Sequence, residues 1–499
     1  MKDIIISIDL GTTSVKIALV NVSGEIEAVT SREYPVILLD NGGVEQDPLQ
    51  WWNGILECFK ELWDKKEHFR GRVLALSICG QMHTHVYLDK KDAVLGNAIT
   101  WMDQRSSTIV SRWESGEEGK ILFEATSNFV TPTYVAPQIK WVIENKPEIY
   151  EKATSILIAK DYIKYLLTGK KTTDPSDASG TLLYDVVNNK WSEEAFKITG
   201  IRKELFPDVV PSTEITGKIT KSASEATGLP EGLPVINGGA DHSVSEIGAG
   251  LLKEGLMATI IGTAGVVASC VSRPVKDAKK RVICWSYPID GFWDVLGITQ
   301  TAAAALTWFR NTFDSDSDED IFEQYSCSAS RIKAGSEGLI FLPYLFGERT
   351  PHWDSKARGI LFGLSMKHSK EHIIRSIMEG VAYSLRECIE VMEELGLKAK
   401  QIRTMGGGSK SKIWRSIQAN VYNKEIVSLK SQECSAIGNL ILSGLTLGFF
   451  KDLKEASTVV KILEIDQPNI IDNQVYEQRY HLYKKLYRTN KELFRELED

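Results

Sequence analysis

The sequence predicts an α/β protein built from two similar halves that face each other as jaws. Three observations predict it. Residues 4–20 read IIISIDLGTTSVKIALV, in which one apolar run delivers a carboxylate, Asp9, to a Gly-Thr-Thr turn and a second apolar run leads away. Residues 258–267, ATIIGTAGVV, repeat the strand–Gly/Thr-turn–strand pattern far downstream. Around both, β-branched runs alternate with helical stretches, the mark of an α/β chain. Taken alone, each unit is equally an ordinary β-hairpin. Together they suit a polyphosphate, because glycines let backbone N–H groups approach phosphate oxygens and a Thr hydroxyl adds a donor.

The elements follow in order. Strands are expected at 4–8, 15–21, 25–32, 73–79 and 84–89, and helices at 48–65, 104–115, 137–145, 147–152 and 160–168. Pro48, Pro137 and Pro147 stand where a helix starts, a place where the missing N–H costs nothing. Gly169 suits a helix C-terminus. A Gly/Pro-rich passage, 228–241, precedes the second hairpin, and the domain boundary falls near 243–255. The first domain is then 1–245 and the second 246–450, with helices at 299–311, 370–395, 412–421 and 435–445. In the tail, 451–499, Tyr476, Tyr480, Tyr483, Tyr487, Phe494 and Leu497 recur at helical spacing. That stripe predicts a helical tail packed on the second domain; the alternative is a homodimer contact.

Composition narrows the class. With 499 residues, 43% hydrophobic and 25% charged, the chain has room for two to four globular domains. A net charge of −7 argues against nucleic acid or an anionic membrane as partner. Seven scattered cysteines without a CxxC pair fit a reduced, cytoplasmic protein, and the chain enters a strand too soon for a signal peptide. Two uncharged stretches, 255–272 and 434–450, approach the ~18–20 residues of a membrane span. They are expected instead as a buried hairpin and a buried helix. The acidic run 314–320 resembles the start of a calcium loop but lacks the central Gly, and Tyr325 stands at the twelfth position, so a solvated loop is expected.

Candidate chemistry sits at the turns. Asp241 follows Gly238, Gly239 and Ala240 and suits a general base for a hydroxyl proton; a plain helix N-cap is the competing reading. Asp9 offers a hard carboxylate for Mg²⁺ beside the first turn, or a cap for the turn's own amides. Gly406, Gly407 and Gly408 open a helix with bare backbone against which adenine or ribose can lie, as a simple loop also would. No P-loop, Rossmann fingerprint, HRD or DFG motif occurs. A polar set suited to a carbohydrate comprises Glu45-Gln46-Asp47, Gln81-Met82-His83, Trp101 to Arg105, and Asp174 to Asp177. His83 follows a strand that should point into the cleft and is expected to touch substrate; a satisfied core histidine is the competing reading. His368 and His372 stand four apart without HExxH or a third ligand, and a structural role is expected.

These motifs, in this order and to about residue 450, resemble the FGGY family of carbohydrate kinases. The most specific pieces are the Asp9 to Lys16 turn, 161–185 with Ser-Asp-Ala-Ser-Gly-Thr (176–181), 338–363 with Gly-Glu-Arg-Thr-Pro-His (347–352), Glu379 to Tyr383, and Gly406 to Lys410. The resemblance implies two ribonuclease-H-like domains of the actin/hexokinase type flanking a central cleft, with ATP and a small sugar between them. It implies transfer of the γ-phosphate to a sugar or polyol hydroxyl, with Asp241 as base and Asp9 and Asp241 on the Mg²⁺ side. Gly11, Thr12, Thr13 and Lys16, then Gly262, Thr263 and Gly265, would be the phosphate turns, and Gly406, Gly407, Gly408 and Lys410 the adenosine loop. The sugar side would be Gln81, Met82, His83, Asp103 and His242. Within the family the Gln81-Met82-His83 segment is most similar to the xylulokinases, pointing to a ketopentose such as D-xylulose. A gluconate or polyol kinase is the alternative acceptor reading, and a catalytically silent nucleotide-dependent regulator the alternative class. Two residues depart from the pattern. His242 stands where xylulokinases commonly carry Asn, and Ala264 where the family usually has Ser, which removes one hydroxyl donor and keeps the amides.

Overall fold

The protein is described here by a computed structural model that covers residues 2–315 and 321–497. Most of the acidic run 314–320 lies outside the described residues.

Two sheets organise the chain. The first consists of β1 (Ile4–Leu10), β2 (Ser14–Asn21), β3 (Ile26–Glu33), β4 (Val73–Gly80), β5 (Ile215–Lys218) and β6 (Pro234–Ala240), in the order β5-β6-β4-β1-β2-β3. The second consists of β7 (Leu256–Ile261), β8 (Gly265–Val271), β9 (Ile283–Ser286), β10 (Trp293–Thr299), β11 (Gln401–Gly406), β12 (Glu425–Leu429) and β13 (Ile462–Asp466), in the order β9-β10-β8-β7-β11-β12-β13. Both repeat one plan. A hairpin is extended by a third antiparallel strand on one side and by two parallel strands on the other. An antiparallel edge strand closes each, β5 on β6 and β13 on β12. This duplicated order is the two ribonuclease-H-like halves that the sequence implied.

Continuous Ile/Leu/Val runs make the central strands because the sheets are covered on both faces. In β1, Ile4, Ile5, Ile6, Ile8 and Leu10 are all fully buried. One cover is α1 (Pro48–Lys66), capped by the Asp47 side chain accepting from the Leu49 N–H. It lays Trp51, Ile55, Phe59 and Leu62 toward β2 and β3. Next come α2 (Ala159–Thr168), closed by Gly169 at φ 69°, and α3 (Asp241–Gly248). The second half adds α4 (Lys370–Glu394), α5 (Lys412–Tyr422), α6 (Cys434–Leu447) and α7 (Ile470–Glu496). The helix expected from 299 starts at Ala303 instead, because Thr299 is still in β10, paired with Gly265.

Chain order and space part company at α6. It comes late in the chain yet packs on β1, β4 and β6 of the first sheet. Asn439 donates through Nδ2 to Ser7 Oγ at 2.8 Å and accepts from Ser77 Oγ at 2.8 Å. It also crosses α3 backbone to backbone. A β-carbon at Gly438 would overlap the Val244 carbonyl, and one at Gly248 the Cys434 carbonyl.

The stretch 255–272 holds the β7–β8 hairpin, and 434–450 contains the buried α6. Among the described residues no helix is long and apolar enough to cross a membrane. In α7, Tyr476, Tyr480, Tyr483, Tyr487 and Phe494 are buried against the second half, so the stripe is not available to a second copy; Leu497 lies past the helix end and is half-exposed. His368 and His372 serve locally: each accepts from a backbone N–H, of Ser365 and of Ser369.

Candidate active site

Two cavities open between the halves, and Asp241 and His242 line both. The larger, about 860 Å³, is walled by Gln81, Met82, His83, Trp101, Tyr134, Trp285 and Arg349 among others. The smaller, about 340 Å³, is walled by Asp9, Gly11, Lys16, Gly406, Ser409 and Ser435 among others.

The glycines before Asp241 are what bring it there. β6 carries an irregularity between Ile236 and Gly239 in its pairing with β4. Gly238 has φ 70°, and a β-carbon on it would overlap the Ile78 carbonyl; one on Gly239 would crowd Pro288. Asp241 then opens α3, its Oδ1 accepting from the His242 N–H at 2.7 Å. About a third of its side chain is accessible, 34%, and that part faces the cavities. Burial pushes the carboxyl up to about 6, with His242 opposing and Asp9 adding to the rise.

Asp9 is the penultimate residue of β1. Burial raises its carboxyl too, against the 2.7 Å hydrogen bond that it accepts from Ser435 Oγ on α6. Lys16, which could have neutralised it, is held 2.5 Å from Glu433. Two hard carboxylates thus share one small cavity with no lysine or arginine paired to either among the described residues, a donor set that fits Mg²⁺.

The larger cavity is floored by the segment linking β4 to a small sheet of five short strands, of which His85–Leu88 is one. His83 sits at φ 63°, with Nδ1 2.6 Å from the Gly180 carbonyl. Nδ1–H must donate there, leaving Nε2 as an acceptor. Burial holds the ring down at about 4, so it stays neutral around pH 7. Gly180, from the Ser-Asp-Ala-Ser-Gly-Thr motif, leaves the room: a β-carbon there would crowd Met82 and His83. Tyr134 and Trp285 pack edge-on to the His83 ring at 5.3 and 5.4 Å, giving apolar faces beside polar atoms. Gln81 donates to Gln46, which donates to the Thr12 carbonyl; Trp101 donates to Thr12 Oγ1 at 3.0 Å.

Other expected site residues are placed differently. Asp103 is buried in an ion pair with Arg105 at 2.7 Å and accepts from the Val44 N–H, outside both cavities. Glu45 belongs to the same knot, 2.9 Å from Arg105, and Asp47 caps α1. Asp174 and Asp177 lie with Lys160 in a fully buried charge cluster. Of the second turn, Gly262 and Thr263 line neither cavity, and Gly265 is inside the ladder, where a β-carbon would strike Thr299. Gly406 and Gly407 present bare backbone, Gly406 lining the smaller cavity, whereas Gly408 is turned under against Ile261. Thr13 and Lys410 are exposed and line neither cavity. Sequence reasoning missed Tyr134, Trp285, Arg349 and Ser435. Only Arg349 had a local signal, the Gly-Glu-Arg-Thr-Pro-His run.

Two halves of one topology, with a carboxylate where a polar-aromatic cavity meets a glycine-lined one, define a two-jawed phosphotransferase. The chain belongs to the FGGY family of carbohydrate kinases: residues 4–248 match the family's N-terminal domain and 257–447 its C-terminal domain. It is a sugar kinase, and ATP is the co-substrate that membership implies. It is 35% identical to the xylulose kinase of Bacillus subtilis (strain 168) over 490 residues, 98% of this chain and 97% of that one. It is 30% identical to the gluconokinase of the same organism over 468 residues, 92% of this chain and 91% of that one. Its fold superposes on the crystal structure of ligand-bound xylulose kinase from Lactobacillus acidophilus with a TM-score of 0.92, at 28% identity and 98% coverage of both chains.

Proposed function

We propose that this kinase transfers the γ-phosphate of ATP to a hydroxyl of a ketopentose such as D-xylulose. Asp241 accepts the hydroxyl proton, and its place on both cavities is the observation that carries the reading. The sugar lies in the larger cavity against Gln81, Met82, His83 and His242, its apolar faces on Trp285 and Tyr134. Triphosphate lies in the smaller one, against the backbone of Gly11 and Gly406. Asp9 and Asp241 hold Mg²⁺, which when bound offsets phosphate charge. Approach of the halves excludes water, so that the sugar hydroxyl is phosphorylated rather than solvent.

One observation favours a second acceptor. Arg349 lines the larger cavity, its guanidinium has no hydrogen-bond or ion-pair partner among the described residues, and burial draws it below its usual value. An unpaired guanidinium suits a substrate carboxylate, as in gluconate. A coupled ADP-release assay over D-xylulose, other ketoses, gluconate and polyols separates the two. The ketopentose reading expects the highest kcat/KM on D-xylulose; preference for gluconate overturns it in favour of the Arg349 reading. ATP binding without turnover on any acceptor would make the chain a silent regulator.

A further inference from the structure

Behind the cavities, α3 and β10 bring three metal-ligating side chains together. His242 and Glu246 stand one turn apart on α3, and Asp294 comes across from β10 in the second half. One ligand atom of each lies within 4.8 Å of the other two. Glu246 and Asp294 are fully buried and line neither cavity. Neither oxygen of Glu246 has a hydrogen-bond partner, nor has Asp294 Oδ1, and no lysine or arginine is paired with either residue among the described residues. Buried carboxyl oxygens are normally given donors, and three that lack them at one point are what a cation answers. The spacing is that of a coordination shell. His242 Nε2 lies 3.0 Å from Asp294 Oδ2, and Ser243 Oγ lies 3.0 Å from the first and 3.2 Å from the second. Ligands at right angles about a metal, each about 2.1 Å from it, are about 3.0 Å apart. Burial and the neighbouring Asp294 push the Glu246 carboxyl well above the usual range, a penalty that a divalent charge reverses. An imidazole beside two carboxylates and a hydroxyl selects a first-row metal such as Mn²⁺ or Zn²⁺ over Mg²⁺ and Ca²⁺, which prefer oxygen alone.

We propose that His242, Glu246 and Asp294 form a second divalent-cation site, for Mn²⁺ or Zn²⁺, separate from the Mg²⁺ site of the smaller cavity. Ser243 Oγ adds a neutral ligand. The ion rivets α3 of the first half to β10 of the second, one residue from Asp241, and leaves the other edge of the His242 ring to the cavities. The site does not depend on which sugar is phosphorylated.

The test uses the full-length, nucleotide-free protein, stripped with a chelator and titrated with Mn²⁺ or Zn²⁺. Bound Mn²⁺ is followed by the loss of its free electron paramagnetic resonance signal. In Asp9→Asn, where the smaller cavity has lost a carboxylate, one Mn²⁺ per chain should still bind. Spin-echo spectra of that ion should show one imidazole nitrogen, which neither Asp9 nor Asp241 can supply. Glu246→Gln and Asp294→Asn should each weaken this binding at least about tenfold. The thermal midpoint should rise with Mn²⁺ in the parent and in Asp9→Asn, and not in Glu246→Gln. Should Glu246→Gln fail to fold, stoichiometry and nitrogen coupling in the parent and Asp9→Asn still decide. Three results would each overturn the proposal. One is no ion on the nucleotide-free parent, which would make Glu246 and Asp294 two acids sharing a proton. Another is binding that Asp9→Asn removes and Glu246→Gln keeps, which would leave the smaller cavity as the cation site. The third is bound Mn²⁺ without nitrogen coupling.

Discussion

Two groups of aspartates in the first half are wholly or partly withdrawn from bulk water, and the chain treats them differently. Asp161, Asp174 and Asp177 are fully buried with Lys160 among them, at 2.7, 3.2 and 3.3 Å, and Lys164 adds a 3.0 Å contact to Asp161. Asp9 and Asp241, at the cavities, have no such partner among the described residues. The effect on the carboxyls follows. Against burial, the two lysines hold Asp161 below its usual value, whereas burial lifts Asp9 and Asp241; Asp177, with only Lys160 near it and two other acids alongside, is lifted too. Carboxylates that come with their cations are architecture: they tie α2 to the segment carrying the Ser-Asp-Ala-Ser-Gly-Thr motif. Carboxylates left without them carry a charge that burial disfavours, which is why the proposed roles of Asp9 and Asp241 can be tested against it.

That contrast can be broken at its strongest point first. Asp241→Asn should lower kcat about 10²–10⁴-fold, the span of general-base catalysis, while circular dichroism and thermal unfolding show an intact fold. Near-normal turnover would remove Asp241 from the base role. The opposite phenotype is expected at Lys160→Met, which strands three buried carboxyls. Urea unfolding should show a loss of about 3–5 kcal/mol, the cost of breaking a buried ion pair from one side, and no effect particular to the sugar.

A subtler test is pH. A base with its carboxyl raised to about 6 works only when ionised, so kcat/KM should climb through one step near pH 6 and level off above it. Stability should move the other way. Between the ordinary 3.8 and about 6 the folded protein holds a proton that the unfolded chain has released, so stability falls as pH rises through that window. In Asp241→Asn that slope should be shallower. Smallest is Ser435→Ala, which removes one donor from Asp9; the Mg²⁺ concentration for half-maximal rate should shift about 2–10-fold, the worth of a single hydrogen bond.

Both groups were visible in the sequence, but not the difference between them. Asp9 and Asp241 stood out because the glycines that deliver them are local signals: Gly238 must take φ 70°, and only the neighbouring strand says why. The strands and helices were legible for the same reason, since periodicity and caps act within a few residues. Asp103 and Asp174 read like binding residues because a polar run says nothing about its partner. Arg105, two residues on, was the available warning. Trp285, Tyr134 and Ser435 could not be read. Trp285 and Ser435 reach the site from the other half and Tyr134 from the turn ahead of the helix Val135–Asn145, and their own surroundings carry no mark. The missing side chain of Gly265 makes room for Thr299 across the ladder, a reason that no local pattern carries.

The crossing of α3 and α6 has a mechanical consequence. Where most packed helices mesh side chain into groove, these two lie with carbonyls against bare α-carbons at Gly248 and Gly438. A methyl group at either position would meet the facing carbonyl head-on, so Gly248→Ala or Gly438→Ala would prise the two helices apart. Ser435 and Asn439, on the same stretch of α6, bond Asp9 and Ser7 and would be drawn away with it. Two absent methyl groups thus keep α6 seated against the strand that carries Asp9.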